Sequence, residues 1–99
     1  MTENIDDDKN TENRIREVLR SLFGAEATEI LADAQLRDSL SGGYDSLGAL
    51  ECITAVEKEF GIEVDFVADD VRHAFSSIAN MTRFVRDRME DMAVFKGRL

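Results

Sequence analysis

The hydroxyl of Ser46 follows the carboxylate of Asp45 in the stretch "GGYDSL" (residues 42–47), directly before a long helical pattern. A hydroxyl in the first turn of a helix lies where backbone N–H groups and the helix dipole favour an attached phosphate. Serine is also one of the best N-capping residues. Spacing alone favours the cap, so the surrounding elements must be considered before chemistry is assigned to the pair.

Residues 46–60 predict a helix, closed by Gly61, with apolar residues on two faces of a helical wheel. The wider stripe has the width of a core-facing surface, and it consists of Ala49, Cys52, Ile53, Val56 and Phe60. The narrower stripe comprises Leu47, Leu50 and the Thr54 methyl group, with Glu51 and Glu57 along its side. This second stripe is either packed under the preceding connection or exposed as a contact site, and both interpretations stay open.

The first helix is predicted to begin at Glu12 and to end at Gly24, because apolar residues recur at helical spacing from Ile15 onward. Residues 25–45 then form a long connection, with a helical turn expected near residues 28–34. Four apolar residues of this connection are expected to pack inward: Ile30, Leu31, Leu36 and Leu40.

After the central helix, residues 62–65 ("IEVD") are too isolated to pair as a strand, and a short helix is expected near residues 68–75. Ser76 or Ser77 can cap a last helix. Its apolar residues at helical spacing are Ile78, Met81, Phe84, Val85 and Met89. The predicted fold class is all-α: a small four-helix bundle, with three main helices and one short helix, and a long loop between helices one and two.

The composition limits the domain organisation and the location. A chain of 99 residues supports one domain, assigned to residues 11–91, between a disordered acidic tail (residues 1–10) and a C-terminal tail (residues 92–99). A single cysteine excludes a disulfide framework, so a reducing, cytoplasmic location is expected. No apolar run is long enough to span a bilayer, and the acidic N-terminus does not have the pattern of a signal peptide.

The net charge of -9 argues against nucleic acid as a partner, because binding to phosphates depends on Lys and Arg. The charge is unevenly distributed: residues 25–70 have twelve acidic and two basic residues, whereas residues 71–99 have three and six. This acidic middle either steers basic partners towards the chain or is only a solvated face.

One acidic pattern imitates a metal site. Counted from Asp6, the residues Asp6, Asp8, Asn10 and Glu17 occupy ligand positions of a calcium-binding EF-hand loop. The glycine that such a loop requires is replaced by Thr11, and too few residues precede Asp6 to form the entering helix. No metal site is therefore predicted.

Several other reactive or charged side chains are expected to be structural. Cys52 is expected to be a small buried apolar residue, and Tyr44 either contacts partners or covers the end of the bundle. Three arginines of the last helix are expected to form its solvated face: Arg83, Arg86 and Arg88. No group of residues supports catalysis by this chain.

The segment "GGYDSLGALECITAVEKEFGIEV" (residues 42–64) resembles the part of acyl carrier proteins and peptidyl carrier domains that contains their modified serine. The shared features are Gly-x-Asp-Ser-Leu and a following helix that ends in Glu-x-Glu-Phe-Gly-Ile. "SSIANMTRFV" is similar to the last helix of that family, and "IREVLRSLFG" is similar to its first. The resemblance covers about residues 12–90.

The resemblance implies that Ser46 carries 4'-phosphopantetheine and that acyl or aminoacyl groups are loaded as thioesters on its thiol. It implies a separate phosphopantetheinyl transferase, with whose metal or basic groups Asp45 would interact. The partner-recognition face of the family corresponds to Leu47, Leu50, Glu51, Thr54 and Glu57. The other implied partners are an acyl- or aminoacyl-loading ligase and a downstream transferase or synthase with a basic docking surface, and the carrier itself is expected to be a monomer and not an enzyme.

Some residues depart from the family pattern. Gly48 occupies a position that is commonly acidic in fatty-acid carriers, and Thr54 occupies one often held by a larger apolar residue. With an expanded loop before Ser46, these departures favour a free-standing specialised carrier. The small side chains of Cys52 and Thr54 favour a short or polar cargo, with a long or modified acyl chain as the alternative. A small helical adaptor, in which Ser46 is an unmodified helix cap, is the alternative function.

Overall fold

The computed structural model describes residues 3–40 and 44–97, and no strand is present in these residues. Five α-helices follow one another: α1 (Glu3–Phe23), α2 (Leu36–Ser39), α3 (Ser46–Phe60), α4 (Val71–Ala74) and α5 (Ile78–Gly97). A 3-10 turn at Ala25–Glu29 follows α1. The predicted all-α bundle with a long connection between its first two main helices is confirmed. None of these helices is long and apolar enough to cross a membrane.

The predicted bounds of α3 agree with the structure. Asp45 is its N-cap, and the Gly48 N–H donates to Asp45 Oδ1 at 2.8 Å. At the other end Gly61 has φ 66°, a left-handed conformation that glycine adopts without steric cost. The Ile62 N–H donates to the Glu57 carbonyl oxygen at 3.1 Å, which completes the helix end.

The first and last helices are longer than predicted. α1 begins at Glu3, so residues 3–10 are helical where the sequence analysis placed a disordered tail. Acidic residues near the start of a helix are favoured by its dipole, and Asp8 forms a 3.1 Å salt bridge with Arg86 of α5. α5 continues to Gly97, past the predicted domain boundary. The residues of the calcium-like pattern all lie in α1, which does not have the conformation of an EF-hand loop.

The core lies where α1 packs against both α3 and α5. Its largest fully buried side chains come from these three helices, from α2 and the residue after it, and from the segment before α5: Ile15, Leu19, Leu36, Leu40, Cys52, Val56, Phe75, Ile78, Met81 and Val85. The core-facing stripe predicted for α3 is confirmed at Cys52, Ile53, Val56 and Phe60, while Ala49 is half-buried.

The long connection is structured and attached to the bundle. The Leu36 N–H donates to the Ser76 carbonyl oxygen at 2.9 Å, and the Ala79 N–H donates to the Ala32 carbonyl oxygen at 2.7 Å. Three of its four predicted inward residues are buried: Ile30, Leu36 and Leu40. The prediction for Leu31 is wrong, because its side chain is 72% exposed. The helical turn is displaced from residues 28–34 to Ala25–Glu29, where Ala27 is the buried residue.

The segment between α3 and α4 is held by charged side chains. Arg88 of α5 donates to both carboxylate oxygens of Asp69 at 2.7 Å, and its guanidinium lies 5.0 Å from the centre of the Phe84 ring. The prediction that Arg88 belongs to a solvated face is therefore wrong. Ser77 is the predicted cap of α5, since it accepts a hydrogen bond from the Asn80 N–H at 3.1 Å.

Candidate functional site

Ser46 is the first residue of α3 and its side chain is exposed. The capping oxygen at this helix end belongs to Asp45, which adopts an extended backbone conformation and bonds the Gly48 N–H. The sequence favoured Ser46 as the cap because serine is one of the best capping residues, but aspartate is an equally good one. The structure shows that the helix does not depend on the Ser46 hydroxyl for its cap.

Asp45 therefore has a structural function that the sequence analysis did not assign to it. Its side chain is exposed beside Ser46, and the bond from Gly48 fixes the position of its carboxylate. The signal was present in the sequence: the capping bond runs to the third residue after the cap, and Gly48 is the third residue after Asp45.

Tyr44 closes the bundle behind the site. Its ring packs edge-on against Phe23 with 5.8 Å between centroids, and its hydroxyl donates to the Phe75 carbonyl oxygen. Burial, with a smaller contribution from the neighbouring Cys52 thiol, raises the pKa of Tyr44 above its ordinary value of 10.0. Of the two roles left open for Tyr44, the structure supports covering the end of the bundle.

Cys52 lies in the core behind Tyr44, as predicted. Its Sγ is 3.8 Å from Sδ of Met81, and its side chain is inaccessible to solvent. Burial raises the pKa of the Cys52 thiol to about 12, so the neutral form is strongly favoured. A thiol in these surroundings is a packing residue and not a nucleophile.

The second apolar stripe of α3 is exposed. Leu47 is 65% and Leu50 is 46% accessible, and Thr54 is exposed, with its hydroxyl bonded to the Leu50 carbonyl oxygen at 3.0 Å. Over residues 25–40 and 44–45, the part of the long connection that the structure describes, the two leucines are therefore not covered, and the stripe is open as a contact site. Glu51 is exposed beside them.

Glu57 differs from the other residues of that predicted face. It is half-buried, and its carboxylate accepts a 2.8 Å hydrogen bond from the Val64 N–H. This bond holds the chain after α3 against the helix. The sequence grouped Glu57 with Glu51 because they lie on the same side of the helical wheel, and the local fold separates their roles.

A cleft of about 400 Å³ opens beside Ser46. It lies between α2, the start of α3 and α4, and its walls include Arg37 of α2 and Arg72 of α4. Apolar surface comes from Val71 and Phe75. The cleft has no signal in the sequence, because its walls come from short elements far apart in the chain and carry no local motif.

The comparisons with known proteins agree with this geometry. The family described as "Phosphopantetheine attachment site" matches residues 13–85. The acyl carrier protein of Clostridium acetobutylicum is 30% identical over 78 residues, which cover 79% of this chain and 95% of that protein. No solved structure shows a significant match.

The start of α3 also fits the cofactor of this family. An exposed hydroxyl at the first turn of a 15-residue helix can carry a phosphate group close to the positive end of the helix dipole, where negative charge is stabilised. Asp45 supplies the cap, so esterification of the Ser46 oxygen would not cost the helix its cap. The fold, the exposed serine and the family match lead to one conclusion: the chain belongs to the acyl carrier protein family, whose cofactor is covalently attached 4'-phosphopantetheine.

Proposed function

We propose that Ser46 is the attachment residue and that the chain carries acyl or aminoacyl intermediates as thioesters on the thiol of the arm. The observation that carries the proposal is the exposed Ser46 hydroxyl at the start of α3, next to an Asp45 that performs the capping. Once attached, the arm supplies the thiol to which the cargo is bound. The protein supplies the serine, the helix end and a surface that partner enzymes recognise.

Attachment requires a partner enzyme. The Ser46 oxygen forms a bond to the phosphorus on the pantetheine side of coenzyme A, the P–O bond of the pyrophosphate bridge breaks, and adenosine 3',5'-bisphosphate leaves with the bridging oxygen and its electron pair. The hydroxyl proton passes to a base of a phosphopantetheinyl transferase. The chain contributes the position of the hydroxyl and the local charge. The N–H groups of the first turn of α3 favour the phosphodiester that results, and the exposed Asp45 carboxylate can meet the metal or the basic groups of the transferase.

The exposed face of α3 is proposed to bind the enzymes that load and use the cargo. Leu47 and Leu50 provide apolar contact area, and Glu51 provides charge complementary to a basic docking surface. Thr54 extends the face by one turn. Glu57 contributes its charge from a fixed position, since it is bonded to Val64.

The alternative function, a helical adaptor with Ser46 as an unmodified cap, lacks its structural support, because Asp45 is the cap. The decisive experiment is incubation with a broad-specificity phosphopantetheinyl transferase, coenzyme A and magnesium, followed by intact mass. The wild-type chain should gain the mass of one phosphopantetheine group, and Ser46→Ala should gain none. Ser39→Ala is the matched control, since Ser39 is also an exposed serine at a short helix near the site. A wild-type chain without the gain, or a gain that persists in Ser46→Ala, contradicts the proposal.

The cargo is proposed to be short or polar. The region between α3 and α5, where a long acyl chain would be sheltered, is occupied by Cys52 and Met81 with their sulfur atoms 3.8 Å apart. Each buried methylene would contribute about 0.8 kcal/mol in favour of sheltering a chain. Acyl groups of increasing length on the arm, followed by thermal midpoints and by the methyl signals of Ile53 and Val56, test this. A midpoint that keeps rising to long chains would support the long-chain alternative.

A further inference from the structure

Two arginines beside Ser46 differ from the other arginines of the structure. Six of the eight arginines in residues 3–40 and 44–97 are hydrogen-bonded to acceptors within the chain: Arg14, Arg16, Arg20, Arg83, Arg86 and Arg88. Over the same residues, Arg37 and Arg72 make neither a hydrogen bond nor a salt bridge. Both of them line the cleft next to Ser46.

The cleft is held together by the backbone. The Leu36 N–H, adjacent to Arg37, donates to the Ser76 carbonyl oxygen at 2.9 Å, which joins α2 to the segment between α4 and α5. The Tyr44 hydroxyl donates to the Phe75 carbonyl oxygen and joins the start of α3 to the same segment. The segment that directly follows α4, the helix of Arg72, is therefore bonded both to α2, the helix of Arg37, and to the start of α3.

The charges of the cleft suit one negative group. Its walls include two positive side chains, Arg37 and Arg72, and one negative side chain, Asp45, whose Oδ1 is engaged by Gly48. A phosphodiester carries a single negative charge, and guanidinium groups match phosphate oxygens with paired N–H donors.

We propose that Arg37 and Arg72 bind the phosphodiester of the arm attached to Ser46 and thereby hold the arm against the cleft between α2, α3 and α4. This inference rests on the proposed attachment at Ser46. Covalent attachment places the phosphate at the mouth of the cleft, so its effective concentration beside the two arginines is high. A contact that would be too weak to capture a free phosphate is then enough to hold the attached one. Gln35 and Ser76 of the same walls offer polar partners for the amide groups of the arm, and Val71 offers apolar surface.

The test compares the unmodified chain with the chain whose single added arm has been verified by intact mass. On attachment, the side-chain Nε–H signals of Arg37 and Arg72 should shift and exchange more slowly with water, while the Arg83 signal should not. The thermal midpoint should rise by about 2 to 4 °C at low salt, a size typical of a solvent-exposed ion pair in a domain of this length. The rise should shrink at high salt.

Substitutions of exposed residues keep the test independent of folding. Arg37→Gln and Arg72→Gln, alone and together, should remove the rise in steps, whereas Arg83→Gln, an exposed arginine of α5 outside the cleft, should leave it unchanged. An unaltered rise in the double variant would overturn the proposal. So would arginine signals that move only when a succinyl group, and not a butyryl group, is loaded, because the arginines would then recognise a carboxylate of the cargo. If intact mass shows no arm on Ser46, the proposed function itself fails.

Discussion

The two ends of α3 are constructed in opposite ways. At its beginning, the Asp45 carboxylate caps the helix by accepting a hydrogen bond from the Gly48 N–H, and the following Ser46 and Leu47 are left exposed. At its end, the Glu57 carboxylate is bonded to Val64, and Ile62 and Val64 are buried against the core. One helix thus has a beginning available for chemistry and an end used for packing. The difference shows that a surface carboxylate or leucine on α3 cannot be assigned to function or to stability by its place on the helical wheel alone.

The largest expected difference between the two ends is in stability. Ile62→Ala should lower the free energy of unfolding by about 2 to 4 kcal/mol, because it removes a side chain that is only 4% exposed and leaves a cavity. Leu47→Ala at the other end should cost less than about 0.5 kcal/mol, since Leu47 is 65% exposed. Urea denaturation measures both. Equal losses would mean that the beginning of α3 is packed as tightly as its end.

The second prediction concerns alkaline pH and the residues behind Ser46. Tyr44 and Cys52 have raised pKa values in the folded chain, so the unfolded chain loses these protons first as the pH rises. The stability that each group contributes is fully present below its ordinary pKa, which is 10.0 for Tyr44 and 9.0 for Cys52, and is lost as the pH rises above that value. For Cys52 the loss continues up to its folded-state pKa of about 12. The loss should approach about 1.4 kcal/mol per pH unit for each group.

Tyr44 gives this prediction a direct measurement, because it is the only tyrosine and the chain has no tryptophan. Ultraviolet absorbance should show no tyrosinate in the folded chain at a pH of 10.0, the ordinary pKa of the group, and should show it in the unfolded chain. Cys52 should likewise resist alkylation until the chain unfolds. Tyrosinate that forms in the folded chain at the ordinary pKa would show that the bundle is open behind Ser46.

The third prediction separates the two roles of Asp45. Asp45→Ala should cost about 1 kcal/mol, the usual effect of losing an N-cap, whereas Asp45→Asn should remain close to wild type because Asn is an equally good cap. Chemical denaturation gives these values. The Asn variant keeps the helix end and removes the charge, so a slower attachment of the arm to this variant would assign the charge to recognition by the transferase. A stable Ala variant would contradict the capping role.

The smallest expected effects are the stability changes on substituting Glu57 and Glu51, and the two residues should differ. Glu57→Ala should cost about 0.5 to 1 kcal/mol because the Val64 N–H loses its acceptor. Glu51→Ala should change stability by less than about 0.5 kcal/mol. Charge reversal of Glu51 to Lys should instead slow association with a basic partner enzyme, an effect that high salt suppresses. If the two Ala variants are equally stable, the contrast between the ends of α3 is limited to their apolar residues.

Much of the fold could be predicted from the sequence because its signals are local. The bounds of α3 follow from Asp45, Gly61 and the apolar spacing between them, and the structure confirms them. Leu31 shows the limit of such signals: an apolar residue in a connection is buried or exposed according to how the turn around it is oriented, and here Ala27 is the buried residue. Asp8 lies in the part of α1 that precedes the predicted start, and it forms a salt bridge with Arg86, a residue near the opposite end of the chain.

The sequence by itself determined the family, the all-α class and the proposed attachment residue, because a motif and a helical period are carried by neighbouring residues. Only the tertiary structure decided that Asp45 and not Ser46 caps α3, that Glu57 is bonded to Val64, and that Arg37 and Arg72 face one cleft. The physical reason is that these facts depend on which groups meet in space. Hydrogen bonds act over about 3 Å and exposed charges over about 10 Å at 0.1 M salt, and the residues that line the cleft come this close only when α2, α3 and α4 are packed together.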